Sequence, residues 1–203
     1  MKSNTQSQIL KMTKAMQIKR AALELFREFG FNKVSIEEIC ELASASKMTF
    51  YRHFKNKSDL LRQIFAELAV LGQQQAEAIL ARDEEFRRKF DAIMRFNEEF
   101  RERLGYRLIS DLMNSADPEI KAIEQENASR IRDLNLRFIA AGKASGFFRA
   151  EFSNEFTLFL AEKLKDILAD KRFATFYPDF SEGLNAVTHY FYCGVATNVS
   201  EKL

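Results

Sequence analysis

Apolar residues recur at three- and four-residue intervals along most of the chain, the period of helices buried on one side. The first stripe, Ala15, Ile18, Ala22, Leu25, Phe26 and Phe29, closes at Gly30 and predicts a helix over about residues 11–29. A second helix starts near Ile36, because Ser35 and Glu38 have the spacing of a capping box in which each side chain satisfies the other residue's backbone amide. Ile36, Ile39, Cys40 and Ala43 then share one face, while Glu37, Glu38 and Glu41 face water. Ser44, Ala45 and Ser46 form a small-residue turn, and the Ser46 hydroxyl can cap a third helix over about residues 47–53. Phe50 and Phe54 take its buried side. Lys47, Met48, Thr49, Tyr51, Arg52 and His53 project outward, with no carboxylate among them. Two short helices meeting at a tight turn predict a helix-turn-helix.

Asn56 can cap the next helix, whose first amides carry the partial positive charge that suits a phosphate. Leu61, Ile64, Phe65, Leu68 and Leu71 continue at helical spacing, so one unbroken helix should join the motif to the rest of the chain. Phe86, Phe90, Ile93, Phe100 and Leu104 predict a helix over about residues 83–104, with a break near Gly105. Asp117 and Pro118 form a helix start, and that helix should last to about residue 141, before Gly142. Gly146-Phe147-Phe148-Arg149 is a loop. Phe156, Phe159, Leu160, Leu164, Ile167 and Leu168 define one amphipathic helix, and Phe180, Leu184, Val187, Thr188, Phe191 and Val195 the last, over about residues 154–170 and 180–198.

With 7 Gly and 2 Pro in 203 residues, punctuation for strands is scarce, and an all-α chain is expected. The net charge of +2 conceals an asymmetry: residues 1–62 hold 12 Lys and Arg against 6 Asp and Glu, whereas the remainder is acidic, with 19 against 23. The positive field thus coincides with the helix-turn-helix, as a phosphate-binding module requires. Cys40 and Cys193 are far apart and read as reduced core thiols. His53 and His189 are the only imidazoles, and no metal site or cofactor is expected. Residues 1–10 are polar and read as a basic-flanked arm or a solvated tail. Neither a signal peptide nor a run of about 18 apolar residues is present, so a cytoplasmic protein is expected.

The run SKMTFYRHFKNKSDL resembles the DNA-binding signature of the tetracycline-repressor (TetR) family, usually SKGTLYxHFxNKxxL, and RAALELFREFGFNKVSIEEICELASAS resembles that family's first helix, Gly-aromatic turn and second helix. The resemblance covers about residues 18–61. Met48 stands where the family often has Gly, and Ser44-Ala45 replaces the common Ala-Gly-Val. The resemblance implies a three-helix DNA-binding domain (residues 1–57) joined by a continuous helix to a larger helical ligand-binding and dimerisation domain (residues 58–203). Lys47, Met48 and Thr49 are the candidates for base edges, by their place in the first turn of the reading helix. Tyr51, His53 and Lys57 match positions that touch phosphates in the family, Arg52 can serve either purpose, and Ser35 and Ser46 complete the DNA-binding set as helix caps. A homodimer would place two such heads on a palindromic operator. In the family its interface is formed by the last two helices, here with Leu160, Leu164, Ile167, Leu184, Val187 and Phe191 as candidates.

Regulators of this kind also place a small-molecule pocket among the middle helices. With 20 Phe in the chain, Phe96, Phe100, Tyr106, Met113 and Phe159 can line an apolar cavity or simply pack the core, and Asn127 or Arg130 can orient a polar group of a hydrophobic or aromatic effector. The expected function is a dimeric repressor released by that effector. The alternative is a helix-turn-helix adaptor, or an activator without an inducer. Charged clusters such as RDEEFRRKFD mix both signs and include no nucleophile, metal-ligand or glycine-rich phosphate motif, so an enzyme is not expected.

Overall fold

The structure, a computed structural model, describes residues 12–197; the polar arm, the expected helix start at Lys11 and the expected end at Asn198 lie outside the described residues. The described residues form helices α1 (Lys14–Phe29), α2 (Ile36–Leu42), α3 (Lys47–His53), α4 (Lys57–Leu80), α5 (Phe86–Leu104), α6 (Tyr106–Met113), α7 (Pro118–Ala144), α8 (Asn154–Leu168), α9 (Phe173–Phe176) and α10 (Phe180–Val195). The chain is all-α, with one isolated bridge between Phe148 and Ala196 among the described residues.

Two compact units are present: Met1–Leu68 with Arg103–Ile123, and Ala69–Glu102 with Glu124–Leu203. In the first, α1 packs against α2, α3 and α6, around an interior that includes Ile18, Phe26, Ile39, Phe50, Phe54 and Leu108. In the second, α8, α9 and α10 pack on one another. Its core joins Ile79, Phe86, Phe90, Ile93, Phe138, Phe148 and Val195, with Phe96, Phe147, Phe191 and Tyr192 partly buried against them.

The local chemistry explains where helices begin and end, including where the sequence reading needs correction. The first helix starts at Lys14 because the Thr13 side chain accepts the Met16 amide at 3.3 Å. The fifth starts at Phe86, since residues 82–84 form a bend and the first helical bonds are accepted by the Glu85 carbonyl. Gly142 does not terminate α7. The helix runs on to Ala144, and Gly142 is there because a Cβ would strike the Phe148 ring and stand 2.9 Å from Phe86 Cζ. The terminator is Gly146, at φ +75°. Two helices were not expected: α6, whose eight residues bury only Leu108 and Leu112, and the single turn α9. The last helix stops at Val195 because the following residues pair with the Phe147-Phe148 loop, Arg149 N–H donating to Val195 O at 2.8 Å and Thr197 N–H to Phe147 O at 3.0 Å.

Candidate nucleic-acid interface

Helix α3 is built by polar caps on an aromatic anchor. Both halves of the capping box at α2 form: Ser35 N–H donates to Glu38 Oε2 at 2.7 Å, and Glu38 N–H to Ser35 Oγ at 3.2 Å. The hydrogen bonds from Ser35 hold the exposed Glu38 carboxyl below its ordinary range. Backbone bonds from Ala43 to Ile39 O and from Ala45 to Cys40 O, each 2.9 Å, close the turn. Ser44 occupies the left-handed region there, at φ +48°, an uncommon place for a residue with a side chain. Ser46 Oγ then accepts the Thr49 amide at 3.1 Å and starts α3. Phe50 and Phe54 are buried with ring centroids 5.4 Å apart, and they fix which face of α3 points outward.

On that outward face Lys47, Met48, Tyr51, Arg52 and His53 are exposed and Thr49 is partly so. The Lys47 ammonium pairs with the Glu37 carboxylate of α2, and the pairing moves the two groups apart, Glu37 downward and Lys47 upward. Both are solvent-exposed, so this pair is weak and available for exchange with a phosphate. Thr49 Oγ1 lies 3.0 Å from Ser46 Oγ. The Tyr51 ring stands edge-on to Phe50, at 5.4 Å and 81°, which directs a rigid phenol off the helix.

The fourth helix opens on the same side. Asn56 Oδ1 accepts the Asp59 amide at 2.7 Å and Asp59 Oδ2 accepts the Lys55 amide at 3.0 Å. Lys57 is placed differently from its neighbours. Its ammonium turns inward, donates to Phe31 O and Val34 O at 2.7 Å each, and lies 4.4 Å from the Phe31 ring centroid. Burial lowers its pKa, against the opposing influence of Asp111 and Glu38. Two of its three N–H donors therefore hold the loop between α1 and α2. The same loop is held by Asp111 of α6, which accepts the Asn32 amide at 3.1 Å and occupies the space beside Gly30. Asp111 was missed in the sequence because α6 opens at Gly105 with no side-chain cap to mark a helix start.

The other candidates separate. Phe96 and Phe100 pack with centroids 6.0 Å apart, while Tyr106 and Met113 belong to the first unit. Arg130 is exposed, Asn127 is partly buried, and Phe159 is 49% exposed on α8. Among the dimer candidates Leu160 and Ile167 are exposed; Leu164, Leu184 and Phe191 are partly buried, and Val187 is buried within its own chain. The α8 stripe thus runs opposite to expectation for a core helix. Its buried residues are Thr157 and Leu158, while Phe156, Phe159, Leu160 and Ile167 face outward. Nor are the thiols both plain core residues. Cys40 is buried, and burial raises its pKa, but Cys193 Sγ lies 3.4 Å from His189 Nε2, one turn away on α10. The four-residue spacing of His189 and Cys193 signals that contact, which the sequence reading overlooked.

Residues 18–64 match the family described as bacterial regulatory proteins, tetR family. Over 57 residues the chain is 39% identical to the fatty acid metabolism regulator protein of Bacillus subtilis (strain 168), covering 28% of this chain and 29% of that one. Over 60 residues it is 35% identical to the HTH-type transcriptional regulator YhgD of the same organism, covering 30% and 31%. The match thus spans less than a third of the length of these relatives. The fold extends further. FadR, a fatty acid degradation regulator from Bacillus halodurans, superposes with a TM-score of 0.69 at 16% identity over 95% of this chain and 99% of that one. SmeT, the repressor of the Stenotrophomonas maltophilia multidrug efflux pump SmeDEF, gives 0.63 at 18% identity over 95% and 98%. The signature on α1 to α4 is thus that of the tetR family of bacterial regulatory proteins, and the fold is shared with FadR and SmeT over almost the whole chain.

Proposed function

We propose that this regulator is a homodimeric repressor that binds a palindromic operator through α2 and α3 and is released by a small hydrophobic or aromatic effector. The observation that carries the reading is the outward face of α3: carboxylate-free, basic and aromatic, and held in register by buried Phe50 and Phe54. Lys47 and Thr49 meet base edges. Tyr51, Arg52 and His53 contact phosphate, and Ser35 and Ser46 present the amino ends of their helices. Lys57 acts from behind by fixing the α1–α2 loop, with its third N–H left for a phosphate.

A two-turn reading helix covers too few base pairs for specificity, and a second copy is the remedy. The outward stripe of Phe156, Phe159, Leu160 and Ile167 supports α8, with α10, as the self-association face, because a contiguous apolar surface of this kind marks an interaction site. In functional terms residues 1–57 are the reading domain and 58–203 the regulatory one. The phenylalanine-rich interior of the second unit supports an apolar effector near Phe96 and Phe100, and the related SmeT is known in complex with triclosan. Such an effector must favour the DNA-incompetent state by a few kcal/mol to empty the operator. No catalysis enters this reading. Among the described residues no helix is long and apolar enough to cross a membrane, and the proposed site of action is the cytoplasm.

Genomic-fragment selection with purified protein, followed by binding at two salt concentrations, tests the proposal. A shared palindrome should emerge, with affinity falling steeply with salt, and Tyr51→Ala and Arg52→Ala should each weaken binding and flatten the salt dependence. No enrichment by folded protein would favour a helix-turn-helix adaptor. A palindrome whose occupancy raises transcription would favour an activator.

A further inference from the structure

We infer that Met48 reads the 5-methyl group of a thymine in each operator half-site. The inference rests on the proposed reading of DNA by α3 and names what its first turn recognises. Met48 is 84% exposed in that turn, with no hydrogen-bonding group to offer a base or a phosphate beyond a weakly accepting thioether. Its neighbours carry the polar groups of the turn, Lys47 in a weak, exchangeable pair with Glu37 and Thr49 beside Ser46, and both can turn to polar base edges. What Met48 adds to that turn is an exposed, unbranched apolar side chain with three rotatable bonds.

Set against a phosphate or a base amino edge, it would remove water from polar groups without replacing their hydrogen bonds. The major groove presents one apolar feature on a base edge, the thymine methyl, and contact with it removes apolar surface from water on both partners. A glycine at this position could make no such contact. Met48 therefore adds a preference at one base pair rather than uniform affinity.

The test replaces each thymine of the selected operator by deoxyuridine in turn, which deletes only the methyl, and measures binding by wild type, Met48→Ala and Met48→Gln. For wild type, one thymine in each half-site should show a penalty of roughly fourfold, the equivalent of one buried methyl group. Met48→Ala, which removes the contact from both half-sites of the homodimer, should bind the unmodified operator weaker by about 16-fold, the square of that factor, and lose the penalty. Met48→Gln, of similar length, should shift preference toward adenine at that position. Because the side chain is exposed, thermal melts of all three proteins should coincide. An equal deoxyuridine penalty in wild type and Met48→Ala, or none in wild type, would overturn the inference and leave the repressor reading standing. Binding of random and selected DNA with equal affinity would overturn both.

Discussion

The two units solve opposite problems with the same helical material. In the first, a side chain must arrive at one place in one orientation, and the polar groups are correspondingly particular: Ser35 with Glu38, Ser46 with Thr49, Asn56 with Asp59, Lys57 with two loop carbonyls. In the second, volume has to be filled. Phe86, Phe90, Phe138, Phe147 and Phe148 meet in mutual ring contacts 4.9–6.3 Å apart, in tilted, stacked and edge-on arrangements. Recognition leaves a pattern of spacings along the chain; filling leaves only a composition. The comparisons follow the same division, since the family match lies in residues 18–64 while the fold is shared over almost the whole length.

The sharpest way to break this comparison is to truncate one phenylalanine of each kind. Phe50→Ala should cost about 3–5 kcal/mol, because a fully buried anchor is lost and a cavity remains. Phe159→Ala should cost under about 1 kcal/mol in the isolated chain, since half its surface is already in water. It should instead weaken self-association. Urea denaturation and sedimentation on both variants separate the two effects. Equal losses of stability would mean that α8 is a core helix after all.

A second substitution probes the filled interior. Gly142→Ala places a methyl where the Phe148 ring already lies and should destabilise by about 1–3 kcal/mol through overpacking, measured as a lowered urea midpoint. Helix propensity alone predicts the opposite sign, so the direction of the change decides whether packing explains the glycine.

Smaller effects test the polar side of the comparison. Ser35→Ala should cost about 1 kcal/mol at neutral pH. The Glu38 carboxyl is held below its usual 4.5, so the stability it contributes is present above that value and is lost as pH falls through the depressed folded pKa. The difference in thermal midpoint between wild type and Ser35→Ala should therefore shrink as pH falls below 4.5. Ser44→Gly should stabilise by roughly 0.5–1 kcal/mol, because Ser44 sits at φ +48° where only glycine is at ease.

This contrast also explains what was legible in the sequence. The capping box, the turn and the buried pair Phe50 and Phe54 were readable because each depends on neighbours three or four residues away. The inward turn of Lys57 was not, since it depends on carbonyls 23 and 26 residues distant. Gly142 looked like a helix end because the ring that requires it comes from a later loop. Asp111 and α6 were invisible for a related reason: no side chain caps the helix at Gly105, and the partner of Asp111 lies in the α1–α2 loop. The outward stripe of α8 reads as an ordinary amphipathic face, and no local signal says which side of it the rest of the chain occupies.

In the proposed dimer, two copies of α3 read successive major grooves of one duplex. Hydroxyl-radical footprinting of the selected operator, with the protein titrated from sub-stoichiometric amounts, tests it most directly. Two symmetric protected patches are expected, with centres about 34–36 Å apart along the duplex, appearing together and filled at two chains per palindrome. A single patch filled by one chain, or even protection without symmetry, would contradict it.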